Sequence, residues 1–180
     1  MVYVLLAEGF EEIEAVTPID LLRRAGIKVL TVGVGSTTPT GAHGVTFMTD
    51  ISEEVFLPDN KTEAIVLPGG QPGTTNLELS DTVQRAIRLA SEKDITVAAI
   101  CAAPSILAKA GLLRGKKAAV FSDYIKDLGE SYLDEPVVFD EPFLTADAAG
   151  STIDFSLKLI EVLKDKKARD SVAAAIRYKK

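Results

Sequence analysis

A chain of 180 residues with 47% hydrophobic and 26% charged side chains suits one compact domain with a continuous core, and it argues against disorder. The net charge of −6 leaves no basic footprint for a nucleic-acid backbone or an anionic membrane. One cysteine makes no internal disulfide, no apolar run reaches the ~18 residues of a membrane span, and the N-terminus lacks a basic signal-peptide region. The expectation is a soluble cytoplasmic protein.

In chain order, Val2 to Ala7 is an almost wholly apolar run, as in a parallel strand covered on both faces. A helix follows from about Glu11 to Arg24, stopped by Gly26, with Pro18 predicting a kink or a missing hydrogen bond. Ile27 to Val34 reads as the second strand, and Val45 to Met48 as a short hairpin strand among glycines. Ala64 to Leu67 is a further strand, ending in Pro68-Gly69-Gly70. Ser80 caps a helix running to about Lys93, and Ile95 to Ile100 is a buried strand. After Cys101, Pro104 fits a first helical turn, and that helix ends at Gly111.

Lys117 to Phe121 then reads as another strand, and Val137 to Thr145 as two extended segments around Pro142. Helices over about Ser151 to Leu163 and Ala168 to Lys179 close the chain. The basic residues in this last stretch alternate with Asp165 and Asp170, as on a solvated helix face. Strands alternating with helices imply βαβ units in a single α/β domain over residues 1–180, with a mostly parallel sheet.

The most informative stretch is VAAICAAPSILAKAGLL. A buried strand runs into Cys101, a helix begins within three residues, and Ala99 and Ala103 flank the cysteine at −2 and +2. A sharp strand–nucleophile–helix turn demands small residues at those places. A thiol at the start of a helix also faces unpaired N–H groups that favour thiolate. Cys101 is therefore the candidate nucleophile.

A nucleophilic cysteine calls for a proton acceptor and donors for an oxyanion. Gly69 and Gly70, after the strand Ala64 to Leu67, offer unobstructed backbone N–H groups. Of the carboxylates Glu8, Glu11, Glu12 and Glu14, the last sits among Ile13, Ala15 and Val16 and points inward. Beside a thiolate it would share a proton with the sulfur and act as general acid and base. His43, the one histidine, lies before the cysteine in TGAHGV, and none follows it, which leaves no conventional cysteine–histidine–acid triad.

These segments together (AEGFEEIEAVTPIDLLRRAGIKV, LPGG, AAICAAPSILAKAGLL and the AGST helix start at Ala149) resemble the DJ-1/ThiJ/PfpI superfamily, the class I glutamine-amidotransferase-like group, most closely its DJ-1/ThiJ branch. The resemblance implies a flavodoxin-like three-layer α/β sandwich and a homodimer. It assigns Cys101 as nucleophile, Glu14 as its partner and Gly69 and Gly70 as the adjoining glycine pair, and it puts Ala102, next to the cysteine, in the same catalytic site. It gives no reason to expect a cofactor or a metal. His43 takes the place from which a residue of the dimer partner approaches the cysteine in that branch.

Two departures narrow the activity that the resemblance implies. Phe121 stands where the branch often has a histidine, and Ala102 stands where the peptidase branch has one directly after its cysteine. Peptidase and amidotransferase activities are thereby disfavoured. The expected partner is a small aldehyde or a glycated adduct, handled as in glyoxalases and deglycases. The alternatives are a redox sensor in which Cys101 becomes a sulfinate, and a catalytically silent binding or chaperone module.

Overall fold

The computed structural model describes residues 1–179. A seven-stranded sheet runs through the molecule in the order β3-β2-β1-β4-β5-β7-β6. The strands are β1 Val2–Ala7, β2 Val29–Val34, β3 Ile51–Ser52, β4 Ala64–Leu67, β5 Thr96–Ile100, β6 Val137–Asp140 and β7 Phe143–Ala146. Every pairing is parallel except β6 with β7, which closes one edge as an antiparallel pair.

Strands β1, β4 and β5 are apolar on both faces because helices cover both faces. The helices are α1 Glu12–Arg24, α2 Gly73–Leu79, α3 Asp81–Glu92, α4 Pro104–Lys109, α5 Ile125–Leu128, α6 Thr152–Leu163 and α7 Lys166–Ala175. Residues alternate between two cores along each strand. Leu5, Ile65, Leu67, Val97 and Ala99 face a core completed by Ile87 of α3 and Ile106 of α4. Val4, Leu6, Val66, Ala98 and Ile100 face the other, completed by Ile19 of α1 and Phe155 and Ile160 of α6. This is the flavodoxin-like α/β sandwich that the sequence implied.

Three expectations change. Lys117 to Phe121 is not a strand, because β7 takes the ladder position beside β5; the segment contributes one bridge, Ala118 to Tyr132. Val45 to Met48 is also irregular, since its amides serve loop contacts: Val45 N–H donates to Glu12 and Phe47 N–H to the Pro39 carbonyl. Thr40 and Thr46 meet in a single antiparallel bridge, and β3 lies further on. Helix α2 is an addition, with no apolar periodicity in GTTNLEL to announce it. Pro18 sits inside α1 without ending it, and its ring nitrogen has no hydrogen for the Glu14 carbonyl one turn back.

The chain order leaves β1 toward β2 on one side and β4 toward β5 on the other. The crevice at the carboxyl ends of β1 and β4 is therefore the topological switch point, where open α/β sheets bind ligands.

Candidate active site

Three chain segments meet at that carboxyl edge. Cys101 ends β5, with its N–H donating to the Ala146 carbonyl of β7 at 2.9 Å. Its φ of +62° is the left-handed conformation. For a residue with a Cβ that costs about 1–2 kcal/mol, a strain held in place by the packed strand and helix on either side. Ala99 and Ala103 are both fully buried, as the tight turn requires. Pro104 opens α4 at its first turn.

Helix α1 brings Glu14. Glu11 caps the helix by accepting the Glu14 N–H at 2.8 Å, and Glu14 itself is 0% exposed. Its Oε2 accepts the Gly69 N–H at 2.8 Å. Its Oε1 has no hydrogen-bond partner among the described residues, and the Cys101 thiol lies close enough for the two groups to shift each other's proton affinity. Gly69 has to be glycine: a Cβ there would lie 2.8 Å from both the Cys101 Cβ and Glu14 Oε2.

The electrostatics follow from burial. Desolvation pushes the Glu14 carboxyl up to about 7, with Glu11 adding repulsion, against the Gly69 N–H and the thiol, which favour the charged form. Burial pushes the Cys101 thiol up to about 12, followed by repulsion from Glu14 and the hydrogen bond to it. The Ala102 and Gly70 N–H groups face the sulfur and pull the other way. Because the rise at sulfur includes the charge of Glu14, it belongs to a pair that has lost both protons. Around neutrality the pair releases one proton and keeps the other.

Cys101, Glu14, Gly69, Gly70 and Ala102 thus come together, with one change of part. The Gly69 N–H, expected as an oxyanion donor, is committed to Glu14, and the donors that face the sulfur are Gly70 and Ala102. Ala102 was expected in the site from its place directly after the cysteine; that it acts through its backbone N–H is what its side chain could not signal. The start of α4 directly after the cysteine was the cue available.

His43 does not reach the site of its own chain as a base. Its side chain is 73% exposed, and Nδ1 lies 3.0 Å from Glu12 Oε2. Glu12 Oε1 also accepts the His43 and Val45 N–H groups, clamping the 40–46 loop to α1. Glu11, Glu12 and His43 hold donor atoms within 4.8 Å of one another, the geometry of a possible cation ligand set. They stand at the positive end of α1, however, and Glu12 already serves three nitrogens, so the group reads as a carboxylate–imidazole clamp. Phe121 lies at the site's edge, its N–H donating to the Cys101 carbonyl at 2.9 Å.

A separate surface cleft of about 490 Å³ between β6, α6 and α7 shares no residue with this site. Its cations Lys158 and Arg169 both pair with Glu161, each at 3.0 Å.

Comparison with known proteins places this geometry in context. The family model described as the DJ-1/PfpI family matches residues 1–162. The protein DJ-1alpha of Drosophila melanogaster is 35% identical over 177 residues, covering 96% of this chain and 82% of the relative. A deglycase of Thermococcus kodakarensis is 28% identical over 166 residues, 91% of this chain and 99% of that protein. The structure of oxidized DJ-1 from Toxoplasma gondii superposes with a TM-score of 0.94 at 32% identity, covering 99% of this chain and 98% of that one. With a cysteine turn, a buried glutamate and a glycine pair meeting at the strand ends of this fold, the chain belongs to the DJ-1/PfpI family.

Proposed function

We propose that the protein acts on small reactive aldehydes or their adducts, with Cys101 as nucleophile and Glu14 as general acid and base. The observation that carries this reading is the fully buried Glu14 carboxyl beside the thiol, fixed by the Gly69 N–H through one oxygen and unpartnered among the described residues at the other. The deglycase relative supports the substrate class. In the first step the sulfur bonds to the aldehyde carbon, the carbonyl π pair becomes an alkoxide, and the thiol proton passes to Glu14. Glu14 returns that proton to the alkoxide, completing a hemithioacetal, while the Gly70 and Ala102 N–H groups stabilise the negative oxygen. With a 2-oxoaldehyde, Glu14 then moves a proton from the former aldehyde carbon to its neighbour while the hydroxyl proton passes to the former keto oxygen, leaving a thioester; water adds its hydroxyl to that acyl carbon and its proton to the departing sulfur, releasing the 2-hydroxy acid and the free thiol.

The test is turnover of methylglyoxal to lactate by wild type, Cys101→Ser and Glu14→Gln. Cys101→Ser should abolish turnover, and Glu14→Gln should lower it by about 10²–10⁴-fold, the usual contribution of a general acid–base group. Equal lactate formation by all three would sink the reading.

A second reading is favoured by the oxidized Toxoplasma structure. Cys101 would then be a redox sensor, taking up two oxygens as a sulfinate held by protonated Glu14. Absence of turnover, together with a two-oxygen mass gain confined to the Cys101 peptide after mild peroxide, would favour it over the first. In either case we place the protein in the cytoplasm, the reducing compartment that a lone cysteine suits, as a homodimer.

A further inference from the structure

Helix α1 begins with Glu11 at the cap and Glu14 three residues on, the spacing of a capping box. In an ordinary box the cap side chain accepts the amide of the third helical residue, and the side chain of that residue reaches back to accept the cap amide. Here only the first half is direct: the Glu14 N–H donates to Glu11 Oε2 at 2.8 Å. The return half passes through a residue of another segment. The Glu11 N–H donates to the Gly69 carbonyl at 2.9 Å, and the Gly69 N–H donates to Glu14 Oε2 at 2.8 Å. Three residues thus form a closed ring in which each gives one hydrogen bond and takes one.

The inserted Gly69 decides where Glu14 points. The carboxyl is held on the loop after β4 instead of folding back on its own helix end. That loop is pressed against the cysteine, since a Cβ at Gly69 would lie 2.8 Å from the Cys101 Cβ. It also lies flush against the helix start, where a Cβ at Gly70 would come 2.5 Å from the Glu11 nitrogen. Capping alone needs no charge, and a neutral serine, threonine or asparagine would serve. Glu11 adds a carboxylate that is only 14% exposed, its other oxygen 3.8 Å from His43 Nδ1.

We propose that Glu11 is a positioning residue for the reaction at Cys101: it closes the ring that holds the Glu14 carboxyl on the cysteine turn, and it places a negative charge beside that carboxyl. This rests on Glu14 as the proton partner of Cys101, as read above, and on no particular substrate. The titratable groups that act on Glu14 are the Cys101 thiol and Glu11. Glu11 in turn faces His43, which pairs with Glu12 at 3.0 Å. Two neighbouring carboxyls resist ionising together, so Glu11 helps Glu14 keep its proton.

The test follows two readouts in wild type, Glu11→Ala, Glu11→Gln and Glu11→Asp: hydrogen exchange at the Gly69 amide, and the pH midpoint of Cys101 alkylation by iodoacetamide. Glu11→Ala opens the ring and should speed Gly69 exchange roughly fivefold, the effect of losing one cap. A cap with no part in the ring would expose the Glu14 amide alone. Glu11→Gln keeps an acceptor but removes the charge. Its Gly69 exchange should stay at the wild-type rate while its alkylation midpoint falls by about half a pH unit. Glu11→Asp keeps both features and should match wild type in both readouts. Unchanged Gly69 exchange in Glu11→Ala, or an unchanged midpoint in Glu11→Gln, would overturn the assignment and leave the aldehyde reading to its lactate assay. If Glu11→Ala does not fold, the Glu11→Gln midpoint decides alone. Glu14→Gln is the control: an alkylation profile identical to wild type there would remove Glu14 as the proton partner, and the role of Glu11 would fall with it.

Discussion

Glu14 sits where a carboxylate is least comfortable, and that discomfort is measurable. Its folded-state value of about 7 lies above the ordinary 4.5, so the folded protein holds this proton more tightly than the unfolded chain does. The Glu14 contribution to stability is therefore fully present below about 4.5 and is lost as pH rises from there to about 7, after which the loss is constant. The size is up to about 3 kcal/mol, the free energy of that displacement. Glu14→Gln keeps the shape, the acceptor for Gly69 and a donor for the sulfur, yet has nothing to ionise. Denaturant unfolding at pH 5 and pH 8 should therefore show the variant gaining on wild type at the higher pH by about 2–3 kcal/mol. A constant difference between the two proteins would mean that Glu14 ionises in the fold as it does in water.

At the scale of elements, α1 does more than carry Glu14. Glu12 accepts the His43 and Val45 N–H groups, and Glu8 accepts the Thr40 N–H at 2.9 Å, so two carboxylates beside the strand end fasten the 40–46 loop. Glu12→Ala should speed amide exchange at His43 and Val45 by at least tenfold. The Gly9 N–H, which donates to the Thr40 carbonyl, should keep its protection. Unchanged exchange at His43 and Val45 would show that the loop's own turns suffice.

The sequence discloses part of this architecture and hides the rest. Period and caps made α1, α3, α6 and the buried strands legible: Ser80 caps α3 where expected, accepting the Val83 N–H at 3.3 Å. Inward-pointing Glu14 was legible too, from the apolar residues flanking it. Lys117 to Phe121 has a strand's composition, but strand pairing depends on which segment wins the place beside β5, and that competition is long-range. The committed Gly69 N–H and the donor role of Ala102 were hidden for a related reason. Backbone groups are the same in every residue, and only the fold decides where they point.

At the scale of the whole molecule, the apolar residues left outside both cores are informative. Ile13 and Val16 lie one turn apart on α1, 55% and 43% exposed. The neighbouring Val45, also exposed, is tied to the same helix through Glu12. Single exposed apolar residues are ordinary, but three brought together on one rigid element form a surface that water disfavours. A second copy meeting this surface about a twofold axis would bury the same residues on both chains, since such interfaces are self-complementary. It would also bring the clamped loop with His43 close to the partner. Sedimentation equilibrium at micromolar concentration should therefore give twice the 19.2 kDa chain mass. The double substitution Ile13→Asp, Val16→Asp should shift the population to monomer while leaving the far-ultraviolet circular dichroism unchanged, because neither side chain packs in a core. A monomeric wild type, or a dimer indifferent to both charges, would remove α1 from the interface and leave His43 without a route to a second cysteine.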